Sequence, residues 1–444
     1  MQRLFFFILF LVMVEQTSQF CLAADLPAKE GKRLSLKAAV DLAMGRNPNV
    51  KSSSKIYESA NAKVGETRSN FFPQLELDFT YTRATSNFAP QPGLGIGGGS
   101  GAGASSDNSF NNYTASLNLR QLLYDFGKLS SQVESVEKLA QSASVDRKTT
   151  TDNLILNVKQ SYYGLLQSQR IVEVNEETVR QMEKHLEQAE GFYKVGSKAK
   201  FDVTKARVDL TNAKLNLIKA KNSVKIARVT LNNAMGMPVD FPVEPEDSLV
   251  FKKEEMAFEA AQKLALEHRP ELLSIRLKKE SSSYALQSSR RQYFPSLTAN
   301  GGTIYRNQEF PLIYNWNVGA TLAFPFFNGF QTKKQVDGAQ ANLEAVTAQE
   351  EIQVQNILLE VEQAFLNLTA AEEQIETSGL IVKQAEENLD LAEGRYRAGV
   401  GTAIETTDAE VSLTNAKTNA IQTLYSYNLA QAQLEKAIGM GSQE

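Results

Sequence analysis

The sequence predicts an α+β membrane protein that is internally duplicated, with long coiled-coil helices joined to a pair of amphipathic strands in each half. Two observations carry this prediction. The first is a repeat: the stretch at residues 394–399, with the helical pattern before it, recurs 203 residues earlier at residues 191–196. The second is a change of hydrophobic period, from helical to two, at matching places in both halves.

Residues 1–24 predict a secretory leader. An arginine precedes an apolar run at residues 4–14, and small residues follow up to Ala24, which is the pattern of a cleaved signal peptide. The run is too short to anchor the chain across a bilayer. A lipid attached to Cys21 is a second possibility, but the bulky Phe20 stands where lipoprotein signals carry a small residue. Cleavage would remove the chain's one cysteine, so we expect no disulfides.

The remaining composition narrows the function classes. After the leader, no stretch approaches the roughly 18 apolar residues of a transmembrane helix. An exported chain of this kind is either free in the periplasm or crosses the outer membrane as strands. The formal net charge of -4 provides no footprint for a polyanion, so a nucleic-acid partner is not expected.

The duplication divides the mature chain into a first repeat at residues 25–236 and a second at residues 255–444. Between them, residues 237–254 carry three closely spaced prolines and predict an irregular connector on the outside of the helical body.

Each repeat opens with a helix that a proline interrupts. The first helix starts near Lys37 and is broken at Pro48, and the second copy has the same break at Pro270, 222 residues later. Both helices are predicted to end at a Phe-Pro pair, at Pro73 and Pro295, because proline lacks an N–H and biases its predecessor towards extended geometry.

After each Phe-Pro pair the sequence predicts two strands. Leu75, Leu77 and Phe79 alternate with polar residues, and the same period-two pattern recurs in the other segments. The four strands are predicted at about residues 73–83, 112–124, 295–305 and 315–325. Their length, alternation and terminal aromatic residues are typical of strands that cross an outer membrane around a wet lumen. A soluble sheet with one buried face is the alternative, but the flanking helices are too long to cover it compactly.

A loop rich in Gly, Ser and Asn, at residues 84–109, separates the first two strands. It is not a phosphate-binding loop, because neither the lysine nor the following helix of that motif is present. We expect a mobile external loop.

Two very long helices follow, from about residue 128 to 193 and from about 332 to 396. About 65 residues at 1.5 Å each give a rod of roughly 100 Å. A seven-residue seam ends at Tyr193 in one copy and at Tyr396 in the other, which implies supercoiled neighbours. Return helices are predicted at about residues 198–234 and 402–437, after tips near Gly196 and Gly399, where a left-handed glycine would end each long helix.

Four strands cannot close a barrel, and open strand edges are not tolerated in lipid. The sequence therefore predicts a homo-oligomer of at least two chains, without fixing the number.

The order of leader, broken helix, strand pair, very long helix, tip and return helix, all duplicated, resembles the TolC family of outer-membrane efflux and secretion ducts. The resemblance covers essentially the whole mature chain. Its most specific matches are the two tips and the pentapeptide at residues 210–214, repeated at residues 413–417. It implies a homotrimer whose strands form one transmembrane β-barrel in the outer-membrane lipid and whose helices form a coiled-coil barrel in the periplasm. It also implies a periplasmic adaptor (membrane fusion) protein and an inner-membrane pump or exporter as partners, and no cofactor.

The resemblance also implies site residues. Glu405 and Asp408 match acidic positions that narrow the family's periplasmic aperture, where carboxylates select for cations. Thr402 and Glu405 also read as a capping box, and the two roles of Glu405 are compatible. The alternative for Asp408 is an ordinary solvated helix charge.

Tyr396 matches a tyrosine with which the family latches neighbouring hairpins, although a heptad position also explains it by packing. The family's latch arginine is replaced here by Gly401, and Arg397 is the hypothetical substitute. Lys205 is the first-repeat equivalent of Asp408, which suggests an ion pair between hairpins. The tip loops, with Tyr193, Gly196 and Gly399, are expected to contact the adaptor.

Enzymatic chemistry finds little support, because His185 and His268 are the only histidines and neither belongs to a metal-spaced cluster. We therefore predict a passive exit duct of a tripartite efflux or type I secretion system in the outer membrane. The alternative is a periplasmic coiled-coil adaptor or scaffold without a pore. The sequence names no exported substrate. The second hairpin, which carries Glu405 and Asp408, is the one expected to move in a gate.

Overall fold

A computed structural model describes residues 33–85, 109–253 and 256–441. The predicted leader with Cys21 and nearly all of the predicted external loop lie outside the described residues.

The described elements repeat in the predicted order. The helices are α1 (Leu36–Arg46), α2 (Pro48–Arg68), α3 (Lys128–Lys194), α4 (Lys200–Ala234), α5 (Phe258–His268), α6 (Pro270–Arg290), α7 (Gln331–Arg397) and α8 (Ala403–Ala437). The strands are β1 (Gln74–Thr85), β2 (Ser109–Tyr124), β3 (Ser296–Asn307) and β4 (Ile313–Ala323). Single turns of 3₁₀ helix, Ser69–Phe71 and Arg291–Tyr293, lead into β1 and β3. The predicted bounds agree with these to within about three residues.

Helices α3 and α7 have 67 residues each and are therefore about 100 Å long. Both end at a glycine with positive φ, Gly196 at 75° and Gly399 at 79°, as the sequence predicted. Among the described residues, no helix combines the length and the apolar character that crossing a membrane would need.

The predicted heptad seam is the core of the helical body. Val158 and Leu165 on α3, and Val361 on α7, are fully buried along it. Towards the tips the helices lie in the order α4, α3, α8, α7, and towards the strands the order is α2, α3, α6, α7. Helices α4 and α7 are thus the outer edges of the tip half.

Where the broken helices meet the ends of the return helices, one interaction occurs twice with different chemistry. In the first repeat the Asn47 side chain donates to the Ala234 carbonyl at 2.8 Å. In the second repeat the buried Arg269 donates to the Ala437 carbonyl at 3.2 Å and pairs with Glu360 at 2.7 Å. Each contact satisfies a carbonyl at a helix C-terminus, which has no partner within its own helix.

The connector between the repeats is tied to the helical body by tyrosine hydroxyls. Tyr162 Oη lies 2.7 Å from the carbonyl oxygens of both Leu34 and Glu246, and Tyr427 donates to the carbonyl of Lys252. These contacts fasten the connector to the helical body.

The strands form one antiparallel sheet in the order β1-β2-β3-β4. The register sets Leu77 opposite Leu117, and Gly301 opposite both Leu119 and Val318, so the apolar side chains of all four strands share one face. That face is open: Leu77 is 58% exposed and Val318 is 78% exposed. Within the described sheet, β1 and β4 each keep one edge without a neighbouring strand.

Candidate functional site at the helical tips

The two tips of the helical body lie against each other. Lys198, in the turn between α3 and α4, donates from Nζ to the Gly401 carbonyl at 3.1 Å. The same ammonium lies 5.0 Å from the centre of the Tyr396 ring. The first hairpin therefore reaches over the end of the second.

Tyr396 is packed between the hairpins and is only 1% exposed. Its ring contacts His185 and Phe192 of α3, with centroids 5.1 and 5.7 Å away. Its hydroxyl has no hydrogen-bond partner among the described residues. Burial raises the pKa of this phenol. Tyr396 thus joins the two hairpins through its ring, and the hydroxyl is left unsatisfied.

Within the described chain, Arg397 does not take the place of the latch arginine that Gly401 replaces. It is exposed, and its Nε donates to the Glu393 carbonyl of its own helix at 3.4 Å. The turn explains why position 401 is glycine: an added Cβ would lie 2.9 Å from the Tyr396 backbone nitrogen. Lys198 is the side chain that bridges to this turn.

The predicted ion pair between Lys205 and Asp408 is wrong for the described chain. Lys205 Nζ lies 2.6 Å from Asp209 Oδ1, one turn further along α4. A partner four residues away on the same helix requires less ordering of a long side chain than one on another hairpin. Asp209 also accepts a hydrogen bond from Thr407 at 3.1 Å, and this contact links α4 to α8.

The two candidate aperture carboxylates differ in their surroundings. Asp408 is exposed and makes no hydrogen bond or ion pair with the described residues. Glu405 is exposed as well, but its Oε2 lies 3.3 Å from Arg395 Nε. The hydroxyl of Thr402 accepts from the Glu405 backbone nitrogen at 3.2 Å, so Thr402 caps α8 while the Glu405 carboxylate turns to Arg395 instead of completing the box.

Two residues that were given no functional role from the sequence lie deeper between the helices. Glu410 on α8 is 5% exposed, and burial, reinforced by the charges of Glu393 and Glu177, raises the pKa of its carboxyl to about 7. His185 on α3 is 8% exposed, and burial lowers its pKa. Its spacing along α8 could have identified Glu410, because it places this residue on the face of the helix that packs against the neighbouring helices.

The outer surface of the tips is accessible. Tyr193 is 47% exposed, and Gly196 is exposed beside it. Among the residues that the structure describes, no three His, Cys, Asp or Glu side chains are grouped so that they could hold a metal ion.

The model of the family described as "Outer membrane efflux protein" matches residues 39–237 and 261–440. The outer membrane protein TolC of Escherichia coli K12 is 25% identical over 410 residues, covering 88% of this chain and 80% of that protein. The Campylobacter jejuni CmeC outer membrane channel has a similar fold, with a TM-score of 0.79, 18% identity and coverage of 91% of this chain and 86% of that one. The open state of the Neisseria gonorrhoeae MtrE channel gives a TM-score of 0.76 at 19% identity, over 96% of both chains.

Proposed function

This chain belongs to the outer membrane efflux protein family, and from that premise we propose how its copies assemble into a duct. Members of the family are exit ducts of efflux systems, lie in the outer membrane and work with adaptors and inner-membrane transporters in tripartite pumps. The chain is thus an outer-membrane efflux duct. It has the role of a channel and not of an enzyme.

The proposed assembly is a homotrimer with one shared transmembrane barrel. The observation that carries it is the open sheet, whose apolar face and two outer edges lie bare in one chain. Backbone groups at such edges have no water to bind in lipid, so another chain must pair with them. Pairing the β1 edge of one copy with the β4 edge of the next is a head-to-tail contact, which closes into a ring.

The helical body supports the same assembly. Exposed apolar residues recur at seven-residue spacing on its two outermost helices, at Phe201, Val208 and Leu215 of α4 and at Ile352, Leu359 and Leu366 of α7. Such stripes are the seams of coiled coils whose partner helix is absent. The α4 stripe lies near the tips, whereas the α7 stripe lies level with α6 nearer the strands. A ring would therefore bury the first stripe against α7 of the next copy and the second against α2 of the neighbouring copy on the other side.

Cross-linking tests the barrel. Cys21 is the only native cysteine and lies in the predicted leader, so introduced thiols would be unique. Leu77→Cys on β1 with Val318→Cys on β4, treated in outer-membrane vesicles with a linker that spans about one strand spacing of 4.8 Å, should give a ladder that stops at three chains. Replacing Leu77→Cys by Leu117→Cys on the inner strand β2 should abolish the ladder. A ladder that stops at two chains, or none at all, would refute the trimer.

The periplasmic mouth is proposed to be lined by Asp408. Its carboxylate is exposed and has no partner in the described chain, so a ring of three would present uncompensated negative charge to the lumen. Glu405 contributes less, because Arg395 lies beside it. Opening would move the second hairpin, which carries both residues, while the outer tip surface around Tyr193 and Gly196 contacts the adaptor.

Relatives of this chain are named for different cargoes, including a toluene efflux pump protein and a pyoverdine export protein from Pseudomonas species. We propose that the inner-membrane partner selects the cargo and that this duct conducts it passively. A type I secretion exporter would use the same tip surface.

A further inference from the structure

A polar cavity lies one turn inside the tips, between α3, α7 and α8. It measures about 220 Å³, and its walls include Glu393, Tyr396, Thr406 and Glu410 of the second hairpin with His185 of the first. One water occupies about 30 Å³ of liquid, so the cavity has room for a ligand of several non-hydrogen atoms.

The cavity contains a carboxylate that makes no ion pair within the described part of the chain. It belongs to Glu410, and the other carboxylates that act on it, Glu393 and Glu177, repel its charge. Lys417 is the lysine that acts on Glu410, but its ammonium is bound by Glu177 at 3.1 Å and lies 3.7 Å from Glu386. Burying a charge without a partner is costly.

The remaining nearby lysines do not supply the missing charge. Lys205 is paired with Asp209, and Lys198 donates to the Gly401 carbonyl. Lys184 lines the cavity from an exposed position and forms no ion pair with Glu393 or Glu410. None of these lysines therefore supplies a positive charge that pairs with Glu410.

Three residues that line the cavity each have one polar atom without a hydrogen-bond partner among the described residues. These atoms are His185 Nε2, Tyr396 Oη and Thr406 Oγ1, and each belongs to a side chain that is more than nine-tenths buried. Buried polar atoms are almost always satisfied by protein, water or ligand. All three side chains belong to the wall of this one cavity.

We propose that this cavity binds a small organic ammonium ion, such as a primary amine or a short diamine. An ammonium group donates three hydrogen bonds and carries the charge that Glu410 lacks. The hydroxyls of Tyr396 and Thr406 and an unprotonated nitrogen of His185 are acceptors of the kind that it needs. A metal ion fits less well, because no three ligand side chains converge in the described residues. This inference does not rest on the trimer or on the gate.

Binding of an ammonium ion at this cavity should depend on pH, because it is linked to the protonation of Glu410. Glu410 is faced by Glu177 and His185 on α3, Glu393 on α7 and Lys417 on its own helix. The charged groups that act on His185 are Asp209, Glu393, Asp202 and Lys205. Since the pKa of Glu410 is about 7, the bound ammonium must displace its proton at pH 6 but not at pH 8. Affinity should then rise about tenfold between these pH values.

Isothermal titration calorimetry on the full chain in detergent, in phosphate buffer, is the test, with putrescine as the probe and 1,4-butanediol as its uncharged analogue. We expect putrescine to bind with proton release at pH 6, and the diol not to bind. Glu410→Gln should weaken binding at pH 8 at least tenfold. Glu373→Gln, an exposed carboxylate change about 30 Å along α7 from Glu393, should leave the affinity unchanged.

Thr406→Val keeps the side-chain shape and every charge, and it should weaken the affinity for putrescine several-fold. This variant tests the proposal if Glu410→Gln fails to fold. Equal binding by the wild type, Glu410→Gln and Thr406→Val would mean adventitious binding to the acidic surface and would overturn the proposal. So would the absence of heat at both pH values, or Mg²⁺ binding in place of putrescine.

Discussion

Single residues have diverged between the two repeats even where the backbone has not. The first-repeat equivalent of Glu410 is Arg207, and the second-repeat equivalent of His185 is Asn388, each at an offset of 203 residues. Arg207 is exposed and pairs with Glu190 at 3.1 Å. The buried carboxylate therefore belongs to the second hairpin alone, and the duplication gave no hint of it.

The raised pKa of Glu410 predicts how stability depends on pH. The carboxyl is protonated more strongly in the folded chain, at about 7, than in an unfolded one, at 4.5. Its contribution is therefore fully present below pH 4.5 and is lost as pH rises through 7. Glu410→Gln should remove this loss, which is at most about 3 kcal/mol in the free energy of unfolding. Thermal unfolding is followed by circular dichroism in amine-free buffer. The variant should be more stable relative to the wild type at pH 8 than it is at pH 4.5.

His185 acts in the opposite sense and must be separated from this effect. Its pKa is lowered by burial, so its contribution is present above pH 6.5 and is lost as pH falls through the folded pKa. His185→Gln should therefore gain stability relative to the wild type only on the acid side. An identical pH profile for Glu410→Gln and the wild type would contradict the assignment to Glu410.

Asp408 carries the prediction for conductance. If its carboxylates line the mouth, Asp408→Ala should raise single-channel conductance in planar bilayers and reduce the preference for cations. Glu405→Ala should have a smaller effect on selectivity, because Arg395 already lies beside that carboxylate at 3.3 Å. Unchanged conductance and selectivity in Asp408→Ala would remove this residue from the aperture.

Single side-chain contacts are hard to predict from the sequence where several partners compete for one group. Gly196 and Gly399 were predictable, because a helix that must turn sharply needs a residue that tolerates positive φ. The pairing of Lys205 was not, since an exposed lysine takes whichever carboxylate is near, and Asp209 lies one turn away. Glu410 was missed because its burial depends on how three helices pack.

Whole elements were far more predictable than side-chain contacts. The helix breaks at Pro48 and Pro270 are imposed locally by the proline ring, and the strands are imposed by a period of two. Neither depends on distant parts of the chain. What the sequence left open is how elements are fastened together, as the different contacts of Asn47 and Arg269 illustrate.

Arg269 is predicted to fasten α6 to the end of α8. Its guanidinium is buried and contacts Glu271, Glu360 and the Ala437 carbonyl. Arg269→Ala should cost about 3 kcal/mol, because it leaves a carbonyl and a carboxylate without their donor. The matched control is Arg276→Ala on α6: its side chain is half exposed and Lys279 still pairs with Glu350 at 2.8 Å, so the loss should stay below about 1 kcal/mol. Equal shifts in the two thermal midpoints would contradict the role of Arg269.

At the scale of the whole molecule, the sheet and the helical body pose the same physical problem. The sheet ends in two strand edges, and the helical body carries two apolar stripes on its outer helices, one on α4 near the tips and one on α7 nearer the strands. The two ends differ from each other in both layers. Contacts between different surfaces build rings, whereas a two-fold dimer would pair like with like.

The stripe on α7 therefore decides whether copies associate. Leu359→Glu with Leu366→Glu would place buried carboxylates in each seam, and each lost leucine contact removes about 1.5–3 kcal/mol. We expect the association of the proposed trimer, measured by light scattering in detergent, to weaken at least tenfold, since that change needs only about 1.4 kcal/mol. Val239→Glu, an equally exposed apolar position in the connector, should leave the assembly intact. Trimers of undiminished stability in the α7 double variant would show that the strands alone hold the ring, and the helical stripes would then need another partner, for which the adaptor is the obvious candidate.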